Sequence, residues 1–122
     1  MLDSNICIYM LQGTSSAARD RIEACVPGEL VTSAVAYAEV MRGVPPLDRA
    51  RQSKAEAFFK LVTVLPFDQG AALLYRRVPF KRGTFDRLIA AHALSRGLTF
   101  VTNNEADFAD IPELKVENWT KP

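Results

Sequence analysis

Short apolar segments alternate with longer segments of helical period along this chain. The short segments favour strands, and the longer ones repeat their apolar residues with the spacing of an α-helix. The predicted strands cover residues 1–3, 30–32, 62–65, 98–102 and 114–118. The predicted helices cover residues 5–12, 17–25, 34–42, 48–61, 68–77 and 85–96. This alternation predicts an α/β fold, a central and mostly parallel β-sheet wrapped by helices.

Residues with capping chemistry stand at the ends of several predicted helices. Ser33, Asp48, Asp68 and Thr84 are candidate N-caps, because each short oxygen side chain can accept a hydrogen bond from a first-turn amide. Gly97 follows the last predicted helix and suits a left-handed position after its end. These signals support the assignment of the helices.

The composition is that of an ordinary globular chain, with 48% hydrophobic and 24% charged residues among 122. We expect one domain, residues 1–122, because one core suffices at this length. The net charge of +1 requires any polyanionic partner to be held by local patches. We interpret Cys7 and Cys25 as reduced core residues, since no zinc-type spacing is present. Without a signal-peptide or membrane-span pattern, we expect a cytoplasmic protein with no membrane contact.

A parallel sheet gathers functional groups beyond the carboxyl ends of its strands. Asp3 ends the first predicted strand, and its carboxylate can either project into the crevice there or cap the next helix. Asp86 lies in the first turn of the last predicted helix, where the helix dipole alone also favours an acid. The predicted buried face of this helix consists of Phe85, Leu88, Ile89 and His92, so its N-terminus should be fixed.

Glu39 lies in the middle of a predicted helix, with Ala36 and Gly43 on the same stripe. Small neighbours leave a shallow recess around its side chain. The alternative is a surface glutamate paired with Arg42, which is common on any helix and contributes little.

Polar residues follow the predicted strand 98–102. Asp107 is a further acid on the carboxyl-end side of the sheet. Asn103 and Asn104 stand nearer to the strand end, although two consecutive asparagines there are also typical of a turn.

Several carboxylates that converge on one crevice repel each other by about 4 kcal/mol per close pair at an effective dielectric near 20. A cation relieves this repulsion. Oxygen ligands without His or Cys select hard ions, so Mg²⁺ is the expected cofactor and Mn²⁺ should be able to substitute. Such a site suits phosphodiester hydrolysis by a metal-activated water.

In order and spacing, these residues resemble the PIN-domain ribonucleases, specifically the VapC toxins of bacterial toxin–antitoxin pairs. The resemblance spans nearly the whole chain. It rests on Met-Leu-Asp-Ser-Asn-Ile-Cys-Ile-Tyr at 1–9, the helix between Ser33 and Gly43 with Ala38-Glu39, Phe-Asp-Arg-Leu-Ile-Ala-Ala-His-Ala-Leu at 85–94, and Phe-Val-Thr-Asn-Asn at 100–104 followed by Asp107-Phe108. It implies a PIN-like fold.

The resemblance also implies an acidic catalytic and metal-binding site whose first three members are Asp3, Glu39 and Asp86. The fourth acid of many relatives stands at the position of Asn104, which carries no charge here. Asp107 is therefore the candidate for the fourth acid. An amide at position 104 could still orient a metal-bound water.

Other side chains are candidates for supporting roles. Three uncharged groups could support the acids from nearby, although capping and strand-edge roles explain the first two equally well: Asn5, Thr102 and Asn104. Basic side chains around Asp86 are candidates to hold RNA phosphates, or else belong to a solvated loop: Lys81, Arg82 and Arg87. His92, the only histidine, is expected to pack in the core rather than to act as a general base.

By resemblance, the protein should be an endoribonuclease that cuts structured RNA, commonly tRNA or ribosomal RNA. A VapB-like antitoxin should hold it inactive by laying its C-terminal segment in a groove beside the acids, with an arginine near them. Family members usually form homodimers, and we expect one here.

Two alternatives remain open at this point. A phosphatase or receiver-type fold would use Asp3 as a nucleophile, but Asn5 stands where such phosphatases need a second aspartate, and Asn103 and Asn104 stand where receivers need a lysine. The other alternative is a catalytically degenerate PIN domain that only binds RNA or an antitoxin, suggested by the missing charge at Asn104.

Overall fold

A computed structural model describes residues 1–82 and 84–121. Gly83 and Pro122, both inside the predicted domain, lie outside the described residues. The α-helices are α1 (Ser4–Gln12), α2 (Ser16–Glu23), α3 (Ala34–Arg42), α4 (Arg49–Leu61), α5 (Gln69–Leu74) and α6 (Asp86–Ser95). The strands are β1 (Val31–Ser33), β2 (Thr63–Leu65), β3 (Phe100–Val101) and β4 (Val116–Glu117). Two 3₁₀ turns, Tyr75–Arg77 and Glu105–Phe108, complete the pattern.

The strands form a parallel sheet that is joined in its middle by Leu2. β1 pairs with β2 and β3 pairs with β4, both in parallel. Leu2 bridges the two pairs through parallel contacts to Thr32 and Val101. The sheet order is therefore β2–β1–Leu2–β3–β4, and the predicted α/β class with a parallel sheet is confirmed.

Both faces of the sheet are covered, because alternate residues of its central strands point to opposite sides. Met1 and Phe100 belong to one core cluster, which includes the buried residues of α6. Leu2 and Val101 belong to a second cluster, which α1, α2 and α4 cover. This arrangement leaves the carboxyl ends of the central strands as the accessible edge.

Most predicted strands are longer than the observed ones, whereas β1 has the predicted length and is shifted by one residue. Within residues 1–3 only Leu2 forms bridges, to Thr32 and Val101, where a strand of three residues was expected. The strand predicted at 98–102 shrinks to Phe100–Val101, because the Leu98 amide donates to the Ala93 carbonyl at the end of α6. Helix bounds differ by at most two residues, except that α5 ends at Leu74 and the rest of the predicted helix 68–77 is the 3₁₀ turn Tyr75–Arg77. The 3₁₀ turn Glu105–Phe108 was not predicted.

Most predicted helix ends are confirmed. Ser33, Asp48 and Asp68 cap α3, α4 and α5 with their side-chain oxygens. Thr84 is not the N-cap of α6, a position that Phe85 holds; its hydroxyl accepts from the Asp86 amide instead. Gly97 has a φ of 64°, the left-handed conformation predicted for it.

The remaining core predictions concern the cysteines and the histidine. Cys7 and Cys25 are both free; Cys7 is buried, which raises the pKa of its thiol to about 12, and Cys25 is half-buried. His92 is fully buried, hydrogen-bonds Ser33 at 2.8 Å and packs edge-on against Phe67, as a core role predicts. None of the helices described is long and apolar enough to cross a membrane.

Candidate active site

Asp3 lies at the carboxyl end of the central sheet position, directly after Leu2. Its amide donates to the Val101 carbonyl at 2.9 Å, which fixes the backbone to β3. Its carboxylate accepts from the Ile6 amide at 2.9 Å and so caps α1. The N-cap alternative is therefore observed, and the site role of Asp3 stays a prediction.

The environment of Asp3 disfavours its charge. The side chain is 1% exposed, and burial raises its pKa from the usual 3.8 to about 6. The nearby carboxylates of Asp86 and Glu39 raise the pKa further, while hydrogen bonds from Thr102 and Ile6 oppose the rise. A bound cation would offset the repulsion between this buried carboxylate and the two others.

Glu39 reaches the same region from the middle of α3. Its carboxyl pKa is raised, first by burial and then by the charge of Asp86, while the Ser4 hydroxyl favours the ionised form. Its Oε1 atom is buried without a hydrogen-bond partner. The ion pairs formed by the described residues do not include Glu39 with Arg42. The structure thus favours the recess over the surface pair.

Asp86 and Asp107 extend the group from the opposite side. Asp86 is the first residue of α6 and is half-buried. Burial raises the pKa of its carboxyl, and the charge of Asp107 adds to that rise. Asp107, in the 3₁₀ turn after β3, is already ion-paired with Lys81. The structure therefore brings four acids into electrostatic reach, with Asp107 at the edge and partly neutralised.

Arg87 does not lie where an RNA contact requires it, and that expectation is corrected. Its side chain is only 4% exposed. It donates to the carbonyl oxygens of Pro79 at 3.0 Å and Asp107 at 2.8 Å, and to the Asp110 carboxylate at 3.0 Å. The guanidinium also lies over the Phe108 ring. Arg87 thus fixes the segments on both sides of Asp86 instead of facing solvent.

The expected buried face of α6 is also partly wrong. Ile89 and His92 are buried as predicted, but the Phe85 side chain is 58% exposed. Arg87 takes the buried position in the first turn instead. Its three oxygen partners lie 8 to 23 residues away along the chain, so no local pattern indicates this exchange.

The predicted supporting residues surround the acids to different degrees. Thr102 is buried beside Asp3, as its supporting role requires. Asn104 is exposed, and its amide donates to the Thr102 hydroxyl at 3.2 Å. Asn5 is exposed and reaches Asn103 at 3.5 Å.

Sequence reasoning missed part of this polar network. Asn103 donates to the Tyr9 hydroxyl at 2.9 Å, and Asn118 donates to the Asn103 carbonyl at 3.2 Å. Asn103 therefore ties α1 and the chain after β4 to the edge of the site. Its place directly after the strand was the signal available, but we interpreted it only as turn chemistry.

The four acids fit a divalent cation in their chemistry. They offer hard oxygen ligands, raised pKa values that a nearby cation would lower, and the buried unpartnered oxygen of Glu39. Within residues 1–82 and 84–121, however, no three acidic, His or Cys side chains stand close enough together to hold a metal as they are. The acids are close enough to shift one another's pKa values, but their side chains do not form a metal coordination shell.

A comparison with known families decides the classification. The family model described as "PIN domain" matches residues 1–114. The chain belongs to the PIN-domain family. PIN-domain nucleases generally depend on divalent metal ions, in agreement with the acidic donor set above.

Individual relatives point to one branch of the PIN-domain family. The chain is 32% identical to the tRNA(fMet)-specific endonuclease VapC of Shigella flexneri, over 98% of this chain and 97% of that protein. It is 30% identical to ribonuclease VapC2 of Rickettsia felis, over 99% and 98%. The resemblance to VapC-type PIN-domain ribonucleases is confirmed.

Solved structures show the same PIN-domain fold. The VapBC2 complex of Rickettsia felis bound to a promoter DNA fragment matches with a TM-score of 0.85 and 29% identity, covering 98% of this chain and 97% of that one. The DNA-bound VapBC of Salmonella typhimurium matches with a TM-score of 0.86 and 29% identity, covering 98% and 96%. The predicted PIN-like fold is therefore confirmed.

Proposed function

We propose that this chain is the toxin of a type II toxin–antitoxin pair, an endoribonuclease that hydrolyses RNA phosphodiester bonds with a divalent metal. The relatives carry the names of ribonucleases, and the fold is that of the VapC chains. The observation that carries the proposal is the convergence of Asp3, Glu39 and Asp86, each with a raised pKa, at the open edge of the sheet.

Asp3, Glu39 and Asp86 would hold the cation, and Asp107 would complete the acidic group. We propose Mg²⁺ as the physiological ion, with Mn²⁺ able to substitute, because the donors are hard oxygens. When bound, the ion supplies a Lewis acid that lowers the pKa of a bound water and neutralises charge on the phosphate. Thr102 orients the Asp3 carboxylate, and Asn104, exposed beside Thr102, can hydrogen-bond a water or RNA oxygen.

The basic residues before α6 would bring RNA to this acidic surface. Lys81 and Arg82 are exposed in the segment that leads to Asp86. Acids repel phosphates, so a substrate backbone must be held by cations next to the site. Lys81, already paired with Asp107, can exchange that carboxylate for a phosphate when RNA arrives. Arg87 is left out of this surface because it is buried.

An antitoxin of the VapB type would inhibit the enzyme through a groove beside Glu39. This groove, of about 420 Å³, lies between α1, α3 and α4. Apolar side chains such as Ile8, Leu11 and Val40 line it, and Glu39 stands within it. Two cations of α4, Arg51 and Lys54, line its other side and would pair with acids of the partner. An apolar peptide segment fits such a lining, and an arginine on that segment would pair with the acids.

Substrate, assembly and location follow from the family resemblance. A relative carries the name tRNA(fMet)-specific endonuclease, and we propose tRNA or ribosomal RNA as the substrate class. We propose a homodimer, which light scattering of the purified protein would test, and a cytoplasmic location, where such RNAs are found.

Cleavage of total RNA by purified, antitoxin-free protein tests the proposal. With Mg²⁺ or Mn²⁺ we expect discrete fragments; with EDTA, or with Asp86→Asn, we expect intact RNA. The matched control is Asp20→Asn, which removes one acid from the exposed surface of α2 and should leave cleavage unchanged. Intact RNA in every lane from folded protein would instead favour the degenerate, binding-only PIN domain.

A further inference from the structure

The segment before α6 exposes aromatic as well as basic side chains. We call residues 79–82, 84 and 85 the basic–aromatic loop. Phe80 is 76% exposed and Phe85 is 58% exposed. Lys81 and Arg82, which lie between them in the sequence, are also exposed. This pattern of rings and cations is typical of surfaces that bind single-stranded nucleic acid.

Two contacts hold the basic–aromatic loop beside the acidic site. Lys81 pairs with Asp107, and the Thr84 hydroxyl accepts from the Asp86 amide at 3.0 Å. Phe85 is the N-cap of α6 and directly precedes Asp86. The exposed ring of Phe85 therefore stands next to an acid of the proposed site.

Arg87 fixes the beginning of the same loop. Its buried guanidinium donates to the Pro79 carbonyl at 3.0 Å, one residue before Phe80. The same guanidinium donates to the Asp107 carbonyl at 2.8 Å. One buried side chain thus ties the backbone next to Phe80 to the 3₁₀ turn that contains Asp107.

The exposure of these two rings is unlike the rest of the surface. In the described part of the chain, the other large hydrophobic side chains that are more than half exposed are aliphatic: Val26, Leu47, Leu61 and Leu73. Both aromatic side chains with that exposure are in the basic–aromatic loop. The two most exposed rings of the described residues therefore stand together with two cations in one short segment.

We propose that Phe80 and Phe85 stack on unpaired RNA bases next to the scissile bond, while Lys81 and Arg82 hold the adjacent phosphates. This inference rests on the proposed ribonuclease function and adds to it a surface that contacts unpaired bases: the exposed rings of Phe80 and Phe85. Bases inside an A-form helix are stacked on each other and do not offer their faces to a side chain.

Charge favours RNA over a protein as the occupant. The chain has a net charge of only +1, and the neighbouring acids repel phosphate. An RNA strand therefore needs cations close to the site, and the loop supplies two of them between its two rings. The alternation of rings and cations matches the bases and phosphates of a single RNA strand.

Binding in EDTA, where cleavage is absent, tests the proposal. The probes are a fluorescein-labelled single-stranded RNA and the duplex of the same sequence, followed by anisotropy. The double variant Phe80→Leu and Phe85→Leu keeps apolar side chains but removes both rings. Loss of one base–aromatic stack weakens binding by roughly 5- to 150-fold. We expect single-strand affinity to fall at least about fivefold and duplex affinity to stay unchanged.

Two further measurements distinguish stacking on the rings from nonspecific contact with exposed apolar side chains. Leu61→Ala with Leu73→Ala removes two exposed aliphatic side chains elsewhere and should leave single-strand affinity unchanged. Phe85→Trp keeps a ring, so binding should persist, and single-stranded RNA should quench the new indole fluorescence. The wild-type protein, with Trp119 alone, is the reference for that signal.

The outcomes distinguish this inference from the proposed function. Ring-dependent binding of single strands supports the stacking surface even if no RNA is cut with Mn²⁺, a result that would overturn only the nuclease. Cleavage by the wild type with unchanged single-strand affinity in the double Leu variant would overturn only the stacking surface. Loss of self-association or antitoxin binding in that variant, with RNA affinity unchanged, would assign the rings to a protein contact and also overturn it.

Discussion

The Asp3→Asn variant should be more stable than the wild type at neutral pH when no metal is bound. Asparagine is nearly isosteric with aspartate and can still accept from the Ile6 amide as an N-cap. It removes the buried charge that Asp86 and Glu39 repel. The substitution therefore keeps the local structure and relieves the electrostatic cost.

The magnitude follows from the pKa of Asp3. Its rise from 3.8 to about 6 means that the folded state binds this proton more tightly than the unfolded chain does. The ionised Asp3 therefore lowers the free energy of unfolding by at most about 3 kcal/mol. At pH values between these two, Asp3 is ionised in the unfolded chain and protonated in the folded one. The free energy of unfolding therefore falls as pH rises from 3.8 to about 6, and the loss is complete above pH 6.

Urea unfolding in EDTA at several pH values measures this effect. The Asn variant should exceed the wild type by about 1–3 kcal/mol above pH 7, and the difference should disappear near pH 4. Asp68→Asn is the matched control, since Asp68 caps α5 with the same 2.9 Å bond but is exposed. A variant that is less stable than the wild type at pH 7, or a difference independent of pH, would refute the reasoning.

Three further predictions concern the surroundings of the acids. Arg87→Met should lower the free energy of unfolding by about 2–4 kcal/mol, because it leaves three oxygen partners without their buried donor; a loss below about 1 kcal/mol in urea unfolding would contradict this. Asp107→Ala should reduce the cleavage rate and Asn104→Asp should raise Mn²⁺ affinity in calorimetry, whereas full activity of Asp107→Ala would transfer the fourth position to Asn104. His92→Gln should flatten the fall in stability below pH 6.5, since burial lowers the pKa of His92 and the unfolded chain takes up the proton first; an unchanged pH profile would argue against that burial effect.

The parts of the fold that depend on local patterns could be predicted from the sequence. The helix α3 was predicted at its observed bounds, because an apolar period and the Ser33 cap mark it clearly. The strand at residues 1–3 was overestimated, since Leu2 alone makes bridges before Asp3 starts a helix cap. The length of a strand depends on the backbone hydrogen-bond partners that the adjacent strand provides, and these are set by the tertiary structure.

Some residues of the candidate site could likewise be proposed from the sequence, and others could not. Asp3, Glu39 and Asp86 could be proposed from their positions in predicted elements and from the family resemblance, and the structure brings them within electrostatic reach. The burial of Arg87 could not be foreseen, because its partners lie 8 to 23 residues away in loops. The exposure of Phe85 was missed for the same reason, since Arg87 takes the buried position instead.

The most direct test of the central claim joins metal binding to cleavage in one titration. Mn²⁺ bound to the purified protein is followed by electron paramagnetic resonance, and the RNA cleaved in the same samples is measured alongside. The account predicts that the cleavage rate rises with bound Mn²⁺ in the wild type, and that Asp3→Asn and Asp86→Asn lose both together. Cleavage that persists in EDTA, or in either variant, would contradict an active site built on these acids.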